Sequence, residues 1–147
     1  QFSLTDPLEG TPVDIGKALL SPTRTYAPIL NQIVSDPELK KGINGIIHCT
    51  GGAQTKVMKF LDKPLHIIKD NLLPIPPLFE TIQKTTGTEM KEMFEVFNMG
   101  HRLEIYCDKD KAQQLIDIAA SFDVEAQIIG RCEPSADKKL TIAGIEY

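Results

Sequence analysis

The sequence predicts an α+β fold, a layered α/β sandwich in which a mixed sheet is flanked by helices. Three observations predict it. Short β-rich runs alternate with segments whose apolar residues recur at helical spacing over most of the 147 residues. The last β-rich run follows its neighbour with no helix between, which favours a mixed sheet over a wholly parallel one. The length suits one domain able to bury its own core.

In chain order, residues 1–16 are polar and proline-punctuated without sustained periodicity, and read as a linker or irregular arm laid over a body elsewhere. The chain opens on Gln1 rather than Met, as a piece of something longer would. Residues 17–147 are expected to form the domain itself. Tyr26, Ile29, Leu30, Ile33 and Val34 share one helical face, predicting a helix from Thr25 to Ser35 with Pro28 in its first turn. Asp36-Pro37-Glu38 is a cap followed by proline at the first helical position, and Gly42 limits it to a single turn. Ile43 to His48 reads as a strand. After the glycine pair, Val57, Met58, Phe60 and Leu61 give a short helix closed by Asp62-Lys63-Pro64.

Leu65 to Lys69 is a second strand with imperfect alternation, and the prolines of Pro74-Ile75-Pro76-Pro77 make a stiff connector. Pro77 starts a helix with Leu78, Phe79 and Ile82 inward, ended by Thr86-Gly87. Thr88 suits the cap of the next, where Met90, Met93, Phe94 and Phe97 form a core stripe. Asn98 or Gly100 offers a left-handed end. A strand follows over Arg102 to Cys107, then a helix capped by Asp108 with Ala112, Leu115, Ile116, Ala119 and Phe122 inward. Val124 to Arg131 and Leu140 to Ile145 read as the last two strands, joined through the polar loop at Pro134-Ser135-Ala136-Asp137.

Sixteen basic against twenty acidic residues give a net charge of −4, which disfavours broad binding to nucleic acid or anionic membranes. No apolar run approaches a bilayer's width and no signal pattern opens the chain, so a cytoplasmic protein is expected. Cys49, Cys107 and Cys132 lie far apart without a C-x-x-C pair, which suggests neither a disulfide framework nor a zinc site. His48, His66 and His101 lack metal-ligand spacing, so no metal site is predicted.

The chemistry concentrates in His48-Cys49-Thr50-Gly51-Gly52-Ala53-Gln54-Thr55-Lys56, where a strand feeds two glycines and a helix start. Glycines let backbone N–H groups turn toward an anion, and a helix start adds unpaired donors and a positive dipole end. A strand-to-helix turn that needs glycine only for its dihedrals is the plain alternative. His48 suits acid–base or hydrogen-bonding work, or a structural role. Cys49 is a nucleophile or a small apolar filler. Ser21, Thr23 and Arg24, near the start of the first long helix, suit phosphate or carboxylate, or ordinary capping. Neither a P-loop nor a GxGxxG is present.

Four motifs in order carry a resemblance: Leu20-Ser21-Pro22-Thr23-Arg24-Thr25-Tyr26, His48-Cys49-Thr50-Gly51-Gly52, Ile75-Pro76-Pro77-Leu78-Phe79 and Phe94-Glu95-Val96-Phe97-Asn98-Met99-Gly100, with Ile129-Gly130 matching a closing strand. The chain resembles the C-terminal half of aminoimidazole ribonucleotide synthetase, the phosphoribosylformylglycinamidine cyclo-ligase family. The resemblance implies that residues 17–147 are its substrate-binding domain and that residues 1–16 lead from a missing N-terminal domain. It also implies ATP-dependent ring closure of formylglycinamidine ribonucleotide in purine biosynthesis. ATP and Mg²⁺ would serve the full-length homodimer, with none held by this domain alone, which would be inactive by itself.

Position by position, the resemblance places Ser21, Thr23, Arg24, His48, Thr50, Gly51, Gly52, Asn98 and Gly100 on the family's motifs. Ala53 stands where the family has a third glycine, and Lys56 supplies a positive charge nearby. Relatives that share such a domain, namely formylglycinamidine synthetase, selenophosphate synthetase and thiamine-phosphate kinase, stay open as alternatives, as does a non-catalytic binding module.

Overall fold

The computed structural model describes residues 2–147; Gln1, the first residue of the expected arm, lies outside them. Helices form where cap, proline and apolar spacing agree. Asp36 accepts hydrogen bonds from the N–H groups of Glu38 and Leu39 at 2.9 and 3.1 Å, Pro37 follows, and Gly42 ends α3 (Pro37–Lys41). Before it lie α1 (Ile15–Leu19), capped by Asp14, and α2 (Ala27–Ser35), with Pro28 in the first turn where no helical hydrogen bond is lost. Further on, α4 (Pro77–Thr86) starts on its proline and stops at Gly87, which takes the left-handed conformation at φ 68°. The remaining helices are α5 (Met90–Val96) and α6 (Ala112–Ala120).

The strands are β1 (Ile43–His48), β2 (Leu65–Lys69), β3 (Leu103–Cys107), β4 (Gly130–Pro134), β5 (Lys139–Ile142) and β6 (Ile145–Glu146). They divide between two sheets. One is the antiparallel pair β1–β3; the other runs β4-β2-β5-β6 and is mixed, β2 lying antiparallel to β4 and parallel to β5.

Period-two alternation, reset in β1 by the register shift between Ile43 and Gly45, gives β1–β3 two apolar faces. Ile43, Ile105 and Cys107 pack on Ile29, Ile33, Leu39, Leu115 and Ile118 from α2, α3 and α6. On the opposite side Ile47 joins Ile67, Leu140 and Ile142 of the second sheet with Met93 and Phe94 of α5. The layers are thus helices, a small sheet, a shared core and a larger sheet.

Four expectations are corrected. Residues 124–129 are not a strand: β2 ends at Lys69, whose register partner is Gly130, so the chain before Gly130 has no ladder to join. Instead it crosses the end of β2, where Ile129 O accepts from the N–H groups of Asp70 and Asn71. The run 140–145 is not one strand but the hairpin β5–β6, turned at Ala143 and Gly144, both with positive φ. Asp108 precedes a 3₁₀ turn at Lys109–Lys111, its carboxylate accepting from Asn44 at 3.1 Å rather than capping α6. Finally, Glu89 occupies the cap position of α5, while the Thr88 hydroxyl pairs with that of Thr86.

Candidate functional site

The β1–β3 ladder continues one step past His48, Cys49 N–H donating to Arg102 O at 2.9 Å, and then the chain must reverse. It does so in a β-turn closed by Ala53 N–H to Thr50 O at 2.7 Å. Gly52 is the third residue of this turn with φ 88° and ψ 0°, the type II geometry that glycine adopts without strain. Ala53 continues at φ 42° and is fully buried, so this position keeps a left-handed backbone although it carries a methyl. The short helix expected here is a 3₁₀ segment, Ala53–Lys59. The anion-binding potential therefore comes from the turn itself rather than from an α-helix dipole.

Among the described residues, no acceptor meets the N–H groups of Gly51 and Gly52. Cations stand beside them. Lys56 Nζ donates to His48 O at 2.9 Å and to Thr50 Oγ1 at 2.6 Å, and Lys59 Nζ lies 3.4 Å from where a side chain on Gly52 would begin. Two free donors and two ammonium groups fit a phosphate-sized anion.

His48 is exposed and meets Tyr26 edge to face, ring centroids 6.2 Å apart and planes at 78°. This contact brings the Ser21–Tyr26 run to the glycine turn, but only through Tyr26. The side chains of Ser21, Thr23 and Arg24 are exposed and make no hydrogen bond among the described residues. Burial pushes the Tyr26 phenol up from its ordinary 10.0, against the pull of Arg102 and Arg24. Arg102 is a further cation of this neighbourhood, and its place just ahead of a strand gave no signal of it.

The Asn98–Gly100 run is brought to the turn from the inside. Gln54 Nε2 donates to Asn98 O at 3.1 Å and lies 3.2 Å from His101 Nδ1; Asn98 Oδ1 accepts from Gly100 N–H at 3.0 Å, and Gly100 takes φ 99°. Beneath Gln54, Lys69 Nζ donates to Gln54 O at 2.7 Å and to Glu104 Oε1 at 2.6 Å; Tyr106 donates to Glu104 Oε2 at 2.8 Å. The Lys69 and Glu104 side chains are only 2% and 3% exposed, so the pair is closed to solvent.

Sequence reasoning weighed His101 only as a metal ligand, named Gln54 only as part of the glycine stretch, and passed over Lys69 and Glu104. A signal existed for Lys69, since Leu65, Ile67 and Lys69 occupy one face of a strand. Cys49 is buried, and desolvation, followed by Glu104, pushes its thiol up to about 12, which leaves it a protonated filler.

Residues 4–143 match the family described as AIR synthase related protein, C-terminal domain. The chain belongs to that family. It is similar to phosphoribosylformylglycinamidine cyclo-ligases: 33% identical to that of Methanocaldococcus jannaschii, covering 84% of this chain and 34% of the relative. With the Methanococcus vannielii protein the identity is 34%, covering 90% of this chain and 38% of the relative. With the Syntrophus aciditrophicus protein it is 30%, covering 97% and 41%. The chain thus spans well under half the length of these relatives.

A crystal structure of E. coli HypE, a hydrogenase maturation protein, superposes with a TM-score of 0.62 at 18% identity over 95% of this chain and 41% of HypE, a likeness of fold. No helix among the described residues is long and apolar enough to cross a membrane.

Proposed function

We propose that this chain is the C-terminal, substrate-binding domain of an ATP-dependent cyclo-ligase that converts formylglycinamidine ribonucleotide to aminoimidazole ribonucleotide in purine biosynthesis. The observation that carries this reading is the glycine turn, where two N–H groups without acceptors stand beside Lys56 and Lys59 in a chain similar to cyclo-ligases along most of its length. Residues 1–16 would connect to an N-terminal domain and residues 17–147 would hold the phosphoribosyl substrate against it. The full-length protein would be a cytoplasmic homodimer, and this domain alone would be inactive.

In this reading Gly51 and Gly52 N–H, with Lys56 and Lys59, bind the substrate phosphate, while the Thr50 hydroxyl orients Lys56. Thr23 and Arg24, with Ser21, close on the ligand from the exposed loop before α2. Buried Ala53 shapes the turn, and Asn98 and Gly100 support it through Gln54. His48, exposed at the rim, donates a hydrogen bond to the substrate or exchanges a proton with it. ATP supplies the phosphoryl group that activates the formyl oxygen. The residues of the glycine turn fit a phosphate, and ATP with Mg²⁺ would be held with the N-terminal domain, as the resemblance to the cyclo-ligases implies.

The test is ring closure by the full-length protein supplied with ATP, Mg²⁺ and formylglycinamidine ribonucleotide. Absence of turnover from a folded dimer overturns the proposal. Independently, inorganic phosphate is expected to shift the amide resonances of Gly51 and Gly52, and Gly52→Glu to suppress the shift; phosphate shifts confined to other residues refute the site.

A further inference from the structure

The interior face of the glycine turn holds a device that the sequence motifs do not announce. Lys69 ends β2 in the larger sheet and Glu104 lies in β3 of the smaller one, so their 2.6 Å contact is a bond between the two sheets. Lys69 spends another of its three donors on the backbone carbonyl of Gln54, two residues beyond Gly52. The Gln54 side chain, 1% exposed, reaches to Asn98 O and His101, and its carboxamide oxygen is buried without a donor.

A turn of two consecutive glycines has little stiffness of its own. Outside, Lys56 ties it through His48 O and Thr50 Oγ1, and the Thr55 hydroxyl donates to Gly52 O at 2.9 Å. Inside, it is tied at Gln54 by both backbone and side chain, to Lys69 of β2 and to Asn98 and His101, with Glu104 of β3 joined through Lys69. An ion pair this deep is weak evidence for stability, because the desolvation of both charges offsets their attraction. Its geometric consequence is specific: the carbonyl of Gln54 is held at a fixed point set by two sheets.

We propose that Lys69, oriented by Glu104, is a positioning residue that fixes the glycine turn through Gln54 O, presetting the Gly51 and Gly52 N–H groups for a phosphate monoester, with Gln54 tying the Asn98–Gly100 turn to the same anchor. The inference deepens the proposed function and rests on it for the identity of the anion. A rigid turn meets the anion without losing backbone freedom on binding, so the gain appears in affinity.

The experiment uses the full-length protein uniformly labelled with ¹⁵N and titrated with inorganic phosphate, alongside the paired replacement Lys69→Met with Glu104→Gln. Removing both charges leaves no lone ion buried, so the fold is expected to persist with a Tm within a few degrees of the parent. Phosphate affinity at Gly51 and Gly52 is expected to fall roughly tenfold, the substrate KM to rise by a similar factor with kcat within about twofold, and amide exchange at Ala53 and Gln54 to accelerate.

Unchanged affinity and exchange in the folded double variant overturn the inference. Should that variant not fold, Lys69→Met alone removes the donor to Gln54 O while Glu104 can take up a proton; faster amide exchange at Ala53 and Gln54 with weaker phosphate binding supports the anchor, and the absence of both changes refutes it. If the parent shows no phosphate shift at the two glycines, the anion reading fails, while amide exchange in the double variant still decides whether Lys69 holds the turn.

Discussion

Tyr26 stands edge-on to His48, and this one aromatic contact joins the loop before α2 to the rim of the glycine turn. Edge-to-face pairs contribute about 0.5–1.5 kcal/mol beyond their buried area. Tyr26→Leu is therefore expected to lower stability by about 1 kcal/mol in urea unfolding and to weaken phosphate binding at Gly51 and Gly52 by severalfold, because Arg24 is no longer held near the rim. Equal phosphate affinity in parent and variant would show that the loop before α2 takes no part in binding.

Gly130 is fixed by close backbone approach. A Cβ there would stand 1.9 Å from Ile68 O, in the register that pairs Gly130 with Lys69. No side-chain rotation relieves a clash with backbone, so Gly130→Ala must displace the start of β4. The expected loss is about 2–4 kcal/mol, large for a single methyl. Gly87, where a Cβ would meet nothing within 4 Å, is the control: Gly87→Ala meets only the cost of its left-handed φ, about 1 kcal/mol. Thermal unfolding of the two variants side by side measures the difference.

His101 links stability to pH. Its Nε2 accepts the Leu73 N–H at 3.0 Å, its Nδ1 faces Gln54, and it is 3% exposed. Burial holds its pKa below the ordinary 6.5; Glu104 acts against that shift and Lys69 with it. The unfolded chain then binds a proton that the folded chain refuses, so this contribution is complete above 6.5 and is lost as pH falls from there toward the folded pKa. Across about pH 8 to 5 the parent should lose more stability than His101→Gln, which cannot titrate. Parallel pH profiles would exclude His101 as the source.

The β5–β6 hairpin can be improved. Its two central residues, Ala143 and Gly144, have φ of 49° and 82°, the pattern that favours Asn-Gly. Ala143 is exposed, so replacing it disturbs no packing. Ala143→Asn is expected to raise stability by about 0.5–1 kcal/mol, read from the urea midpoint at unchanged m value. No rise would mean that the turn is strained by something other than the φ of Ala143.

Sequence by itself determined what is written locally. The Asp36-Pro37 start and Gly42 stop, the proline start of α4, the apolar stripe of α5 and the glycine turn after β1 each follow from cap chemistry, fixed φ or period, all set within a few neighbouring residues. The motif order also carried the family. Tertiary structure decided the rest, because it depends on partners distant in the chain. Residues 124–129 have a strand's composition but lie beyond the end of β2, so no ladder receives them. Lys69 and Glu104 look like ordinary charges until two sheets close over them, and only then does a buried amine 2.7 Å from Gln54 O become the inner anchor of the turn. Burial belongs to the packed whole, and a charge acquires this role only when its counter-charge is enclosed with it.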